Sequence, residues 1–333
     1  PKDRNFIKLN TNENPYPPSP KVLEAIRAAT GDALRLYPDP ECTPLRTALA
    51  EFHGLTPEMV FPGNGSDEIL AFCFQAFFDP DRAILFPDVT YSFYPVYANY
   101  FGLTHRQVPL GEDFEMPLAE LCRGGAGGVV LANPNAPTGR ALELEDIRAI
   151  LEANRDCVVL VDEAYVDFGA QSAVGLIPAF DNLVVIHTLS KSRSLAGLRV
   201  GYALGQPHLM AALCCVRDSI NSYTVDRLAQ AGATAAIEDR AYLQEMTERV
   251  MATRARSQVR LQELGFQFLP SLSNFLFITH PEKTAQELLN GLREKGILVR
   301  WFNHPRIDNY LRVSIGTDEE MDALCTALQE LLS

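Results

Sequence analysis

Leu183-Val184-Val185-Ile186-His187-Thr188-Leu189-Ser190-Lys191 is the stretch that decides the fold. Its apolar run from Leu183 to Ile186 has no polar alternation, so it reads as a strand buried on both faces, as in a parallel sheet covered by helices. Three similar runs stand upstream, Ala83-Ile84-Leu85-Phe86, Gly128-Val129-Val130-Leu131-Ala132 and Val158-Val159-Leu160-Val161. Amphipathic stretches separate them, which is the pattern of strands crossed over by helices. From about residue 60 to 240 the chain therefore reads as a large α/β domain with a mainly parallel sheet. Ligands of such sheets bind beyond the carboxyl ends of the strands, so the residues following each run are where chemistry is expected.

Outward from that core, a helical stretch over about 241–264 stops at Gly265. Segments 274–279, 297–301 and 311–315 read as strands, and 318–332 reads as an amphipathic helix, together a smaller α+β domain. The opening Asn10-Thr11-Asn12-Glu13-Asn14-Pro15-Tyr16-Pro17-Pro18 is too rich in asparagine and proline for regular structure and reads as an extended arm. The expected division is an arm over 1–25, a large domain over 26–250, and a small domain over 251–333 that also takes the arm.

A chain of 333 residues with 47% hydrophobic content can build one large core and a second, smaller one. Its 29 basic and 42 acidic residues leave a net charge of -13, which repels nucleic-acid backbones and anionic lipid, and no basic patch offsets it. No apolar run reaches the length of a membrane span, and residues 1–10 lack the layout of a signal peptide. The expected location is cytoplasmic. Seven cysteines, with Cys214 next to Cys215 and no Cys-x-x-Cys spacing, read as reduced core residues. The six histidines show no metal-ligand pattern, so no metal is expected.

Lys191 follows its strand directly, with hydroxyls at Ser190 and Thr188 and with Arg199 eight residues further on. That grouping joins an amine nucleophile to an anion cradle and suggests a Schiff base to a phosphorylated aldehyde. Asp162 ends another apolar run, where burial drives a carboxylate towards its neutral form unless a cation lies nearby. One such cation at 4 Å, with an effective dielectric near 20, is worth about 4 kcal/mol. In Gly63-Asn64-Gly65-Ser66-Asp67-Glu68, the apolar run that follows puts Ser66 and Asp67 at a helix N-terminus, where free N–H groups favour a phosphate. The segment has neither the third glycine of a dinucleotide loop nor a Gly-Lys-Ser/Thr ending. The glycine-rich run at 124–128 precedes a strand and reads as a surface loop. Arg300 and Arg312, each flanked by apolar strand residues, call for an anionic partner. On the residues alone, Asp162 also reads as a helix N-cap, Tyr91 and Tyr165 as packing aromatics, and Arg300 as an edge-strand side chain in solvent.

These motifs, in this order over nearly the whole chain, resemble the fold-type I pyridoxal-phosphate-dependent aminotransferases. The resemblance implies that Lys191 carries the cofactor as a Schiff base and that Asp162 keeps the pyridine nitrogen protonated. Tyr165 would bond the phenolic oxygen and Tyr91 would stack on the ring. Arg199, Thr188, Ser190, Ser66 and Asp67 would surround the phosphate. Tyr37, in Leu36-Tyr37-Pro38-Asp39, is similar to a tyrosine that reaches the neighbouring cofactor phosphate in a homodimer. Asn133-Pro134-Asn135-Ala136-Pro137-Thr138-Gly139 departs from the family at one point, because Ala136 stands where an asparagine usually bonds the phenolic oxygen. Either that contact is lost or Asn135 supplies it through a shifted backbone.

Within this family the arm, the Tyr37 turn and the Lys191 to Arg199 segment resemble most the branch acting on histidinol phosphate. This implies amino transfer between L-histidinol phosphate and 2-oxoglutarate, yielding glutamate, in L-histidine biosynthesis, with ping-pong kinetics. Tyr16, Arg300 and Arg312 would bind the substrate. Enzymes acting on aromatic amino acids or threonine phosphate share the cofactor residues and differ in the substrate pocket. A non-catalytic cofactor-binding sensor would need a DNA-binding domain, and none is read in this acidic chain.

Overall fold

The computed structural model describes residues 6–333; positions 1–5, part of the segment read above for a signal peptide and of the arm, lie outside the described residues. In chain order the strands are β1 (Ile7–Leu9), β2 (Val60–Gly63), β3 (Ile84–Pro87), β4 (His105–Val108), β5 (Gly128–Ala132) and β6 (Val159–Asp162). They continue with β7 (Leu183–Thr188), β8 (Gly201–Gly205), β9 (Gln267–Phe268), β10 (Phe275–Thr279), β11 (Ile297–Trp301) and β12 (Leu311–Ser314).

Seven of these strands form the large sheet, in the order β2-β8-β7-β6-β5-β3-β4. Pairings are parallel from β7 through β6, β5 and β3 to β4, whereas β8 runs antiparallel to both its neighbours. The four apolar runs become β3, β5, β6 and β7, with β3 and β6 starting one residue later than read, after the half-buried Ala83 and Val158; every residue of the four strands is buried, as strands covered on both faces must be. Two apolar cores, one on each face of the sheet, account for that burial. Register sets the functional ends level: Ala132 pairs with Asp162, Asp162 with Ile186, and Thr188 with Gly201.

The glycines at the start of β5 have a packing reason. A Cβ on Gly128 would lie 2.2 Å from Cε1 of Phe78, and one on Gly127 would lie 2.4 Å from the Arg82 carbonyl oxygen. Gly127 and Gly128 are buried, and only the earlier part of the run at 124–128 is the surface loop expected from sequence.

The second sheet has the order β1-β11-β12-β10-β9, with β1 parallel to β11 and the other pairs antiparallel. The arm thus enters the same sheet as the C-terminal strands, with Leu9 in their core. Helices Ala285–Glu294 and Asp318–Leu332 each begin with a reciprocal capping box, Thr284 with Glu287 and Thr317 with Glu320. Helix Arg240–Glu263 ends where Gly265 takes a positive φ of 83°, so the stop expected at Gly265 is a left-handed glycine. The cysteines correct their expectation in part. All seven are free, but only Cys42, Cys73 and Cys325 are buried, and Cys215 is exposed because neighbouring residues on a helix point about 100° apart.

Candidate active site

The carboxyl ends of β5, β6 and β7 open onto a cavity of about 200 Å³. Ala132, Asp162 and Thr188 line it from the strand ends, and Ser66, Asp67, Tyr91, Tyr165, Ser190, Lys191 and Arg199 complete its wall. Beside it lies a second cavity of about 270 Å³, bounded by Arg300, Arg312 and Phe302. Thr11, Tyr91, Ala136, Tyr165 and Lys191 belong to both. The lysine therefore stands at the junction of the two spaces.

Lys191 follows β7 and is half-buried, its Nζ donating to the Thr11 carbonyl at 3.1 Å and lying 6.0 Å from the centroid of the Tyr165 ring. The arm ties down the main chain here, because Asn14 Nδ2 donates to the Lys191 carbonyl at 3.0 Å. Thr188 and Ser190 are joined through their hydroxyls at 3.0 Å, and the Thr188 oxygen also accepts from the Ser190 N–H.

Asp162 is buried at the tip of β6, where it accepts from Tyr94 Oη at 3.1 Å and from the Ala164 N–H at 3.2 Å. Burial pushes its pKa up to about 6 from an ordinary 3.8, and those two hydrogen bonds only partly oppose the shift. Among the described residues no lysine, arginine or histidine nitrogen comes within salt-bridge distance of it. A buried carboxylate facing a cavity without a protein cation is suited to a ligand that brings one.

The helix Ser66–Phe77 starts at Ser66, leaving its first N–H groups without helical partners, and Ser66 and Asp67 line the same cavity as Arg199. Arg199 has a left-handed φ of 53°, a conformation costing a side-chain-bearing residue about 1 kcal/mol. Its guanidinium lies 3.5 Å from Asp67 Oδ2, with both groups about half exposed. A Cβ on Gly65 would fall 2.6 Å from Arg199 Nη2, and one on Gly201 would fall 2.6 Å from the Ser66 nitrogen. Glycines at both places leave an anion-sized cradle between an arginine and a helix N-terminus. Tyr91 donates to Asp67 Oδ1 at 2.7 Å, and burial, then the Asp67 carboxylate, push its pKa up.

Arg300 and Arg312 are cross-strand partners on β11 and β12. Arg312 Nη2 donates to the Asn10 carbonyl at 3.2 Å, while its buried Nε has no partner. Burial lowers its pKa, and the neighbouring Arg300 acts in the same direction. Two adjacent guanidiniums without a carboxylate between them make a receptor for an anion. Arg300 itself is exposed, with its guanidinium over the Phe302 ring at 5.2 Å.

Tyr16 and Tyr37 line neither cavity. Tyr16 packs under the Arg249 guanidinium at 4.0 Å, and Tyr37, 78% exposed, stacks on Tyr223 at 4.6 Å. The open question at Ala136 has a structural answer. Asn135 spends its carboxamide between its own loop and the segment after β3, accepting from Thr90 Oγ1 at 2.8 Å and donating to the Val89 carbonyl and Thr138 Oγ1. Ala136, not Asn135, faces both cavities. Sequence reasoning missed Tyr94, Phe302 and Asn12, whose Nδ2 donates to Tyr165 Oη at 3.0 Å. Phe302 lies two residues from Arg300 and was within reach of a pattern argument; the other two contacts span the fold and leave no local signal.

A lysine, a buried carboxylate and an anion cradle meet at the strand ends of this sheet, which suits a phosphorylated aldehyde held on the amine with a cationic ring against the carboxylate. The family model for aminotransferases of class I and II matches residues 4–328, and the chain belongs to that family. It is 55% identical to the histidinol-phosphate aminotransferase of Marinomonas sp. (strain MWYL1), over 99% of this chain and 94% of that protein. The histidinol-phosphate aminotransferase of Clostridium acetobutylicum is 51% identical over 100% of this chain and 94% of its own length. The crystal structure of the enzyme of that name from Sinorhizobium meliloti, in complex with pyridoxal-5'-phosphate, matches with a TM-score of 0.89 and 30% identity, over 98% of this chain and 90% of the other.

Proposed function

We propose that this chain is a pyridoxal-phosphate-dependent enzyme that transfers the amino group of L-histidinol phosphate to 2-oxoglutarate, in L-histidine biosynthesis. The observation that carries this reading is Lys191 in the wall common to two cavities, one ending at Asp162 and Arg199, the other at Arg300 and Arg312. Relatives more than 50% identical over the full chain support the substrate.

Pyridoxal phosphate, when bound, supplies an aldehyde that amines condense with and a ring that withdraws electrons from the substrate carbon. The protein's residues do the rest. Arg199, the Ser66 N–H and the hydroxyls of Thr188 and Ser190 would hold the phosphate, and Tyr91 would cover the ring. Asp162 would hold the proton on the ring nitrogen, an ion pair that relieves the cost of burying its carboxylate. Lys191 would anchor the cofactor, and its Nζ, when free, would take the proton from the substrate carbon and later return one, acting as base and then acid. Arg300 and Arg312 would grip the substrate phosphate, and in the second half-reaction a carboxylate of 2-oxoglutarate would use the same positive wall. Tyr16 would join them by rotating from beneath Arg249.

The same reading makes the chain a homodimer. Leu34, Leu36, Tyr37 and Tyr223 expose large apolar surface near one another, and Tyr37, stacked on Tyr223 but mostly exposed, would reach a neighbour's phosphate. It treats 26–250 as the cofactor-holding unit and 251–333, with the arm, as the unit closing over the substrate; the pairing of β1 with β11 supports this grouping. Among the described residues no helix is long and apolar enough to cross a membrane, and a cytoplasmic location is part of the proposal.

The test is a half-reaction screen on the cofactor-loaded protein with histidinol phosphate, phenylalanine, tyrosine and threonine phosphate. Histidinol phosphate is expected to convert the cofactor to its aminated form fastest. Conversion by the aromatic amino acids alone, or carbon dioxide release from threonine phosphate, contradicts the reading. In the same assay Arg312→Ala should raise KM for histidinol phosphate about 100-fold, the loss of a charge-assisted pair worth about 3 kcal/mol.

A further inference from the structure

We infer that Asn12 is a positioning residue that aims the hydroxyl proton of Tyr165 into the cofactor cavity, offsetting by orientation the amide contact missing at Ala136. The inference rests on the proposed cofactor role of Tyr165.

Asn12 is buried, with a left-handed φ of 55°, and its own main chain is pinned: its N–H donates to Ser314 Oγ at 2.8 Å, and its carbonyl accepts from Asn274 Nδ2 at 2.9 Å. Ser314 Oγ, already accepting from that N–H, places its single proton on Asn12 Oδ1 at 2.9 Å. This fixes which end of the carboxamide is which, because a flipped amide would leave the serine proton without that acceptor. Nδ2 is therefore the end that meets Tyr165 Oη, at 3.0 Å. An amide N–H only donates. The Tyr165 oxygen must accept on that side, and its proton is left to point elsewhere.

Elsewhere is the cavity. Tyr165 lines both spaces, and its ring is held edge-on against Phe275 with centroids 5.0 Å apart. The charged groups that line the two spaces with it are Lys191, above its ring, Arg312 and Arg300 on the substrate side, and Asp162, Asp67, Glu13 and Arg199 around the cofactor cavity. With the Asn135 carboxamide taken up by Val89, Thr90 and Thr138 and a methyl group at position 136, Tyr165 is the hydroxyl donor left for the phenolic oxygen of the cofactor. A tyrosine whose proton could turn inwards to the protein would serve that oxygen part of the time. Asn12 removes the alternative.

The test measures the pH midpoint of the visible absorption change of the lysine-bound cofactor, a spectroscopic readout independent of turnover. A donor to the phenolic oxygen stabilises its negative charge and so favours loss of the proton from the neighbouring lysine-bound nitrogen. Losing the donor raises the midpoint. Asn12→Asp keeps the shape and the acceptor for Ser314 but replaces the N–H by an acceptor that draws the Tyr165 proton inwards. We expect the midpoint to rise by about one pH unit, and to rise similarly in Tyr165→Phe. In the double variant no further shift beyond about 0.3 unit is expected over Tyr165→Phe alone, because both changes act on the same proton. Ser314→Ala, which frees the amide to flip without touching Tyr165, should move the midpoint the same way by a smaller amount and keeps the test open if Asn12→Asp does not fold. A midpoint that stays at the wild-type value in the folded variants, or that shifts equally with tyrosine or phenylalanine at 165, overturns the assignment. A wild-type protein with no lysine-bound absorption band would overturn the cofactor reading and the Asn12 role together, whereas a normal band with an unmoved midpoint sinks the Asn12 role alone.

Discussion

Lys191→Ala is expected to lower kcat for amino transfer by at least about 10⁴-fold, the upper range for removing a positioned acid–base group. The protein should nonetheless retain the cofactor without a covalent bond, because Asp162, Arg199 and Ser66 line the cavity independently of the lysine. Those two results together separate a chemical role from a binding one. The Thr11 carbonyl and the Asn14 side chain that steady this segment touch Nζ and the main-chain carbonyl, so the alanine variant loses the amine and keeps the loop contact from Asn14. Single-turnover kinetics on the loaded variant are the measurement, and activity above about one hundredth of wild type contradicts the role.

Asp162→Asn should reduce kcat by about 10³-fold, since the charge it removes is worth about 4 kcal/mol at 4 Å and an effective dielectric near 20. The same variant has a signature in stability. Burial raises the Asp162 pKa from 3.8 to about 6, so the cofactor-free folded chain binds this proton more tightly than the unfolded chain does. Its contribution to stability is then fully present below pH 3.8 and is lost as pH rises through about 6. Asp162→Asn should flatten this part of the profile, measured by denaturant unfolding of the cofactor-free protein between pH 4 and 7. Loading the cofactor should flatten it in the wild type too, if the ring nitrogen brings the missing cation. A stability profile that falls with pH equally in both proteins would locate the effect at another group.

Much of this architecture was legible because it is encoded over short distances. The run Gly128 to Ala132 is β5 to the residue, since an unbroken apolar stretch leaves a strand little freedom to begin elsewhere, and 297–301 is β11 to the residue, an apolar start after the turn glycine Gly296 that tolerates Arg300 on its exposed side. Lys191, Asp162 and Thr188 were readable as site residues for the related reason that they follow such runs, at the sheet end where ligands bind. The arginine pair was legible as two polar interruptions in apolar strands; that β11 and β12 set them side by side needed the register.

What escaped was long-range. The Asn12 to Tyr165 hydrogen bond spans 153 residues and the Tyr94 to Asp162 bond 68, and nothing in either local pattern points at the other. Asn135 offered a plausible amide beside Ala136, but Val89 and Thr90, some 45 residues upstream, and Thr138 of its own loop take up its carboxamide. Tyr16 reads as a substrate residue from the arm, yet its ring faces Arg249 from the long helix, a partner more than two hundred residues away in sequence.

Everything proposed here turns on the amine of Lys191 being bonded to the cofactor aldehyde at the junction of the two cavities. Reduction of the loaded protein with borohydride, followed by peptide mass analysis, tests this directly. The account predicts a stable secondary amine linking the cofactor to Lys191 and to no other lysine. An unmodified Lys191, or a cofactor fixed on a different lysine, would contradict it.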